Sequence, residues 1–272
     1  MKEKFKFKNL LNGILLGASN IIPGVSGGTT AVMLGIYEKL IDSIEGLSKN
    51  FKENILYLFQ IGIGMLIGII GFSGVISYLL GKYTIALNYL FIGLVLGSLK
   101  IITKSIESKK ISIGKILGFV LGVLLVLSIS IIGGSIESAG SGAATVESNY
   151  SYFTLMFAGF VTAFTMILPG VSGSLTLVML GLYDVFVNAI VTFNMPYLFA
   201  GAFGGLIGLV ATVKLISYLL KKYNDIMYSA IIGLVFGSVA IIIMANPVNN
   251  QWFVALISIF IGTLITLFLS KK

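Results

Sequence analysis

Apolar residues fill long stretches of this 272-residue chain, and polar residues gather in short segments between them. Six of the stretches are uninterrupted and come close to the roughly 20 residues that a helix needs to cross ~30 Å of hydrocarbon. The pattern therefore predicts six transmembrane helices, near Leu56–Leu80, Ile85–Ile102, Ile113–Ile132, Tyr197–Leu220, Met227–Ala245 and Trp252–Leu269.

Two further apolar segments, at 10–41 and 153–190, are too long for a single crossing and are interrupted near their middle. Both interruptions read Pro-Gly-Val-Ser-Gly, at 23–27 and at 169–173. Because proline lacks an amide donor and glycine disfavours a helix, each segment is predicted to form two half-helices of about 13–16 residues. A helix of about 13 residues rises only about 20 Å, so each segment is predicted to be a re-entrant hairpin that returns to the side from which it enters.

The interrupted segments belong to a duplication that covers most of the chain. Residues 23–38 and 169–184 are identical at 11 of 16 positions, and two later stretches, ISYLL and IGLV, also occur twice. We therefore predict an all-α polytopic membrane protein of two repeats, each with one hairpin and three transmembrane helices. Its predicted parts are a basic N-terminus (1–9), repeat 1 (10–134), a linker containing GSGAA (135–152) and repeat 2 (153–272).

The lysines predict the orientation of this arrangement. With a cytoplasmic N-terminus and hairpins that return to their own side, all 18 lysines except Lys82 and Lys214 lie in the cytoplasm, as the positive-inside rule requires. If each interrupted segment crossed the membrane instead, the lysine-rich loop at 100–115 would lie outside. Because three crossings per repeat is an odd number, the second repeat is predicted to be inverted relative to the first, with both chain termini in the cytoplasm.

Composition agrees with a membrane protein and removes several kinds of chemistry. Hydrophobic residues make up 57% of the chain and charged residues 10%, which is more apolar surface than a soluble core can use. The chain has no cysteine and no histidine, and its basic residues are all lysine. Disulfides, thiolate and imidazole catalysis and a bidentate arginine clamp on phosphate are therefore excluded, and neither a metal nor a cofactor is predicted.

The net charge of +8 is explained by lysines that flank the membrane, where anionic lipids are the expected partners, rather than by nucleic acid. Lys2, Lys4, Lys6 and Lys8 precede an apolar run and so imitate a signal peptide. Since that run belongs to the first repeat, we expect it to be retained. The expected location is the plasma (inner) membrane of a prokaryote, and the sequence leaves the oligomeric state open.

Glycines recur along one predicted span of each repeat. Small residues allow helix backbones to approach closely in lipid, so these spans are predicted to pack tightly, although they could also be glycine-tolerant helices that face lipid. The glycines are Gly62, Gly64, Gly68, Gly71 and Gly74 in one span, and Gly201, Gly204, Gly205 and Gly208 in its partner.

Small hydroxylic residues follow each interruption, where a new helix should begin. A helix N-terminus presents free amides and a partial positive charge, so two of them meeting near the midplane would attract an anion. The alternative is that Pro-Gly only kinks a long helix and the hydroxyls cap it. The candidate binding residues are Asn20, Pro23, Gly24, Ser26, Gly27, Gly28, Thr29, Thr30, Pro169, Gly170, Ser172, Gly173, Ser174 and Thr176.

Three charged residues complete the candidate site. Lys214 lies inside a predicted span, where a charge costs about 2.5–3.5 kcal/mol, so it either contributes to the site or extends to the cytoplasmic interface. Glu38 and Asp184 occupy equivalent positions in the two hairpins, each after a tyrosine. They could couple transport to protons or act as gates, or they could be ordinary acids at the membrane interface.

At these residues the chain resembles a known family. The strings GASNIIPGVSGGTTAVMLGIYE (17–38) and ILPGVSGSLTLVMLGLYD (167–184) are similar to the signature of PopT-type polyprenyl-phosphate transporters, long catalogued as a membrane domain of unknown function. The resemblance implies movement of undecaprenyl phosphate from the outer to the cytoplasmic leaflet, so that this lipid carrier of cell-wall synthesis is reused. The second copy departs from the first at Ser174 and Leu175, which leaves the relative importance of the two hairpins open.

Two other functions fit parts of the pattern. A channel or exchanger for small anions also uses paired helix N-termini. A lipid-pyrophosphate phosphatase would share the substrate, but such enzymes rely on arginine, histidine or clustered glutamates, so an enzyme is not expected.

Overall fold

The fold is seen in a computed structural model that describes residues 5–22, 25–108, 110–138 and 150–269. Within these ranges the chain is helical and contains no strand. The first half forms α1 (Phe7–Ser19), α2 (Gly27–Met33), α3 (Tyr37–Glu45), α4 (Phe51–Lys82), α5 (Thr84–Lys104) and α6 (Ile113–Ser138). The second half forms α7 (Tyr152–Ile167), α8 (Gly173–Met179), α9 (Tyr183–Val191), α10 (Met195–Lys222), α11 (Asn224–Ala245) and α12 (Trp252–Leu269).

Each of the six predicted transmembrane stretches lies within one helix. By length and composition, α4, α5, α6, α10 and α11 can each cross a membrane, and α12 is a shorter apolar helix. Many large apolar side chains on these helices are exposed, which in water would be unfavourable. The chain is therefore a multi-pass membrane protein.

The helix contacts repeat in the second half. Four helix pairs share the most extensive contacts, and two of them, α1 with α4 and α7 with α10, are equivalent pairs in the duplication. The last helix of each half packs on the other half, because α6 contacts α11 and α12 contacts α5. The two halves are therefore intertwined, and the largest cluster of buried apolar side chains contains residues from both.

Each interrupted segment is broken twice rather than once. The first break lies at Pro-Gly-Val-Ser-Gly, as predicted, but the following half-helix ends after seven residues, at Met33 in one copy and Met179 in the other. The prediction of one continuous second half-helix is therefore wrong. In the second copy the axes of α8 and α9 differ by 111°.

A glycine causes each additional break. Gly35 and Gly181 have positive φ, 66° and 68°, a conformation that costs little only for glycine. In each copy two amides turn back to the last carbonyls of the helix, for example Gly35 to Val32 and Ile36 to Ala31. This is the Schellman arrangement, which ends a helix while satisfying its free carbonyls.

The prediction that glycines allow close helix packing is confirmed at some positions and wrong at others. A methyl group at Gly64, Gly68, Gly204 or Gly208 would collide with the backbone of the neighbouring helix. The surroundings of Gly62, Gly71 and Gly74 are open instead, so the prediction fails at these three positions. Gly13 and Gly17 of α1 supply the other half of the α1–α4 contact.

Candidate functional site

The first break joins α1 to α2 through residues 20–26, of which Pro23 and Gly24 lie outside the described residues. Asn20 ends α1, and its side chain lies beside Gly27. Ser26 caps α2, because its hydroxyl oxygen accepts the amide of Thr29 at 3.1 Å. The hydroxyls of Ser26 and Thr29 are also hydrogen bonded to each other at 2.9 Å. Sequence analysis therefore predicted the start of this helix correctly.

A pair of hydroxyls spans each break in the same way. Thr30 donates to the hydroxyl of Ser19 at 2.7 Å, and the equivalent residues Thr176 and Thr165 share a hydrogen bond of 2.8 Å. Both pairs join the helix before the break to the helix after it. Thr30 and Thr176 thus hold their half-helices together. Ser19 and Thr165 were missed by sequence analysis, although a hydroxyl at the same place in both repeats was a signal that could have found them.

The two breaks contact each other directly. The amide of Gly170 donates to both Ser26 Oγ at 2.9 Å and Thr29 Oγ1 at 2.7 Å. Gly28 packs so closely on the backbone at Ile167 and Pro169 that an added methyl group would lie about 2.8 Å from the Ile167 carbonyl oxygen. The structure therefore brings Ser26, Gly28 and Thr29 of the first repeat against the backbone of the second break.

The second break is more open than the first. Ser172 is the N-cap residue of α8, but its side chain makes no capping hydrogen bond. Ser172 instead shares a hydrogen bond of 2.8 Å with Ser174, and Ser174 is exposed. Gly173 lies beside Thr162 of α7, and Pro169 is buried. The two copies of the motif therefore differ in solvent access.

The short lengths of α2 and α8 limit one part of the predicted chemistry. Each has seven residues, which is about two turns, so few aligned peptide dipoles contribute at either N-terminus.

In the described part of the chain, no three of His, Cys, Asp and Glu form a group that could hold a metal ion. The polar groups of the site are hydroxyls, backbone amides and the carboxamide of Asn20.

An apolar cavity of about 610 Å³ adjoins both breaks. Its walls come from α1, α2, α3 and α4 of the first half and from α7 and α10 of the second. Asn20, Gly27 and Gly28 line it beside the first break, and Met166 and Ile167 line it beside the second. The remaining lining is almost entirely apolar, so the cavity offers a hydrocarbon-like space next to a small polar region.

The predicted charged residues lie apart from this cavity. Lys214 is exposed on the outer surface of α10 and does not line the cavity. Glu38 accepts a hydrogen bond from the hydroxyl of Tyr228 on α11, beside a smaller cavity that Tyr37 and Ser105 also line. Asp184, the equivalent of Glu38, lies on α9, and both acids are exposed. The two acids therefore have different surroundings despite their equivalent sequence positions.

Comparisons with known proteins agree with the resemblance seen in the motifs. The profile of the VCA0040-like family, described as undecaprenyl phosphate translocase-like, matches residues 16–256. A protein of Staphylococcus aureus (strain NCTC 8325 / PS 47) named polyprenyl-phosphate transporter is 34% identical over 279 residues, which cover 99% of this chain and 98% of that protein. A Vibrio cholerae protein (serotype O1, strain ATCC 39315 / El Tor Inaba N16961) with the same name is 30% identical over 242 residues, or 84% of this chain and 74% of that protein.

No solved structure shows a significant match to this chain. The family match covers most of the chain, including both Pro-Gly-Val-Ser-Gly motifs, and so confirms the resemblance. The chain therefore belongs to the VCA0040-like, undecaprenyl phosphate translocase-like family.

Proposed function

We propose that this protein moves a polyprenyl phosphate, undecaprenyl phosphate in particular, from the outer to the cytoplasmic leaflet of the plasma membrane. Its relatives in S. aureus and V. cholerae are named polyprenyl-phosphate transporters. The observation that carries the proposal is the apolar cavity beside both breaks. A lipid phosphate needs this combination, because its isoprenoid chain requires apolar surroundings while its head group requires hydrogen-bond donors.

We place the head group at the breaks, where non-helical backbone and hydroxyls occur within an otherwise apolar bundle. Irregular backbone at membrane depth is tolerated only where it is buried or lines a polar cavity. The contact of Gly170 with Ser26 and Thr29 supports one shared site rather than two separate ones. The isoprenoid chain then extends along the cavity between α3 and α10.

The inverted arrangement of the repeats is part of the proposal, and contacts between the halves support it. Lys115 forms an ion pair of 2.9 Å with Asp225, at two helix starts that the lysine pattern assigns to the cytoplasm. Glu45 pairs with Lys221 at 2.7 Å, also on the predicted cytoplasmic side. Both termini are then cytoplasmic, and exposed lysines on that side contact anionic lipids.

Inward movement of an anion must overcome the membrane potential. An inside-negative potential opposes it by about 2.3 kcal/mol per charge for each 100 mV. A proton carried with the lipid would offset this cost, and phosphate has a second pKa near 6. Because Glu38 has a hydroxyl partner and a cavity, we place proton coupling there, and the equivalent acid Asp184 serves as its control.

The coupling is tested in proteoliposomes at a fixed inside-negative potential, with and without an inward proton gradient. Inward movement of undecaprenyl phosphate should accelerate with the gradient in the wild type and in Asp184→Asn, but not in Glu38→Gln. A wild type that does not respond to the gradient would exclude the coupling.

A cavity-filling substitution tests the proposed function itself. At Gly205 a Cβ would meet its nearest neighbour at 3.7 Å, so Gly205→Leu is tolerated on the backbone side while its side chain fills the cavity. Gly71→Leu is the matched control, since Gly71 is exposed in open surroundings on α4.

Transport of labelled undecaprenyl phosphate should fall strongly in Gly205→Leu and stay near the wild-type rate in Gly71→Leu, with both proteins equally stable. Unchanged transport in Gly205→Leu would show that the cavity does not carry the lipid chain.

A further inference from the structure

Both copies of the motif contain the same five residues, but their hydroxyls have different surroundings. Ser26 and Thr29 are 6% and 1% exposed, and each accepts a hydrogen bond from the amide of Gly170, 144 and 141 residues away in sequence. At the duplication offset of 146 residues, their counterparts are Ser172 and Leu175. Leucine has no hydroxyl, so the pair that receives the amide exists in only one repeat.

The segment that this pair holds is the second break itself. Gly170 has a φ of +85°, and on its far side it contacts the Leu234 carbonyl and the Val126 side chain. The next residue, Val171, is 1% exposed and packs with the same two residues. The backbone of the second break is therefore fixed from one side by α6 and α11 and from the other by the hydroxyls of the first break.

The two copies of the motif therefore differ in how easily a lipid head group could reach their hydroxyls. Because Ser26 and Thr29 are buried against the second break, a phosphate could reach them only if the Gly170 backbone moved away, which would leave a buried amide donor without a partner. Ser172 and Ser174 require no such movement, because in the described part of the chain their hydroxyls are hydrogen bonded to each other and Ser174 is exposed. Ser174 is also a position where the copies differ, since its counterpart is Gly28, which packs on the second break.

We propose that Ser26 and Thr29 are positioning residues, which hold the second break through the Gly170 amide, and that Ser172 and Ser174 supply the hydroxyls that bind the lipid phosphate. The two repeats therefore have different roles in one site: the first supports and the second binds. This inference rests on the proposed function, because it names which residues of that site contact the substrate.

The test compares equilibrium binding of labelled undecaprenyl phosphate and of undecaprenol to the purified protein in detergent. Thr29→Val removes the hydroxyl while keeping the shape of the side chain, and Thr29→Ser keeps the hydroxyl as a matched control. Ser26→Ala is a second variant of the same pair, in case Thr29→Val does not fold. Each is made in the wild type and in a Ser172→Ala, Ser174→Ala background.

A positioning role predicts that Thr29→Val weakens phosphate binding about tenfold, the equivalent of one buried hydrogen bond, and that Thr29→Ser restores it. In the background without both serines, Thr29→Val should cause no further loss. The rate of amide hydrogen exchange in residues 168–174, measured without ligand, should rise in Thr29→Val but not in Ser174→Ala.

A further tenfold loss in the serine-free background would overturn the proposal, because Thr29 would then contact the phosphate itself. Unchanged binding in both Thr29→Val and Ser26→Ala would overturn it as well. If the wild type binds undecaprenyl phosphate no better than undecaprenol, the proposed function fails instead, whereas the exchange measurement still reports on the contact with Gly170.

Discussion

Gly170→Ala tests how tightly the second break is packed against α11. An alanine there must adopt a φ of +85°, and left-handed backbone costs a residue with a Cβ roughly 1–2 kcal/mol. Its Cβ would also lie 2.6 Å from the Leu234 carbonyl oxygen, and overpacking of this kind adds roughly 1–3 kcal/mol. The free energy of unfolding should therefore fall by about 2–5 kcal/mol, a large part of the ~5–15 kcal/mol typical of folded proteins.

Gly181→Ala separates the two contributions. Gly181 has a similar φ, +68°, but no atom lies within 4 Å of an added Cβ, so only the backbone cost of roughly 1–2 kcal/mol applies. Thermal unfolding of both variants in the same detergent gives the comparison, at roughly 2–4 °C for each kcal/mol in a chain of this size. Equal melting temperatures would refute the reasoning, because Gly170 would then not be wedged against α11.

Three further predictions concern the topology, the surface ion pair and the helix packing. A single cysteine replacing Ser48 should be labelled from the cytoplasm and one replacing Thr192 from outside; labelling of both from one side would exclude the inverted arrangement. Hydrogen bonds from a lysine and a serine hold the pKa of Glu45 below its usual value, so its contribution is present near neutral pH and is lost as the pH falls through that lowered pKa. Because the pair is largely exposed, Glu45→Gln should cost under about 1 kcal/mol at pH 7 and nothing in strong acid, and a cost that persists in acid would contradict the ion-pair explanation. Gly204→Ala should destabilise by roughly 1–3 kcal/mol, since its Cβ meets the Met156 backbone, whereas Gly62→Ala in open surroundings should be neutral or stabilising in the same denaturation experiment.

The features that the sequence predicted well are those that depend on local patterns. Apolar length predicted the six long helices, and proline with glycine predicted where α1 and α7 end. The additional break after α2 and α8 was also signalled locally, by Gly35 and Gly181 after an apolar turn. It was missed because the apolar residues on either side suggested one continuous helix.

The features that could not be predicted depend on contacts between distant residues. Nothing near Ser26 indicates that its hydroxyl receives an amide 144 residues away, and equivalence in the duplication suggested equal roles for both motifs. Likewise, Glu38 and Asp184 occupy equivalent positions, yet only Glu38 is next to Tyr228, whose counterpart in the first repeat is Asn88. Small differences between repeats, read position by position, were the available signal.

The exposed position of Lys214 illustrates the same limit. Periodicity predicted that it lies inside a long helix, but the direction of the side chain depends on which face of α10 packs against α7. Gly204 and Gly208 define that face by their contact with α7, and Lys214 lies on another. Comparing its helical position with those glycines would have favoured the alternative in which the lysine extends to the interface.

The most direct measurement is leaflet-resolved movement of labelled undecaprenyl phosphate in proteoliposomes that contain only this protein, set beside the flux of chloride and inorganic phosphate. A lipid-phosphate transporter with an apolar cavity at its site should accelerate movement of the labelled lipid well above protein-free vesicles and leave both inorganic fluxes at background. Flux of chloride or inorganic phosphate without movement of the lipid would contradict the proposed function and favour a small-anion channel or exchanger.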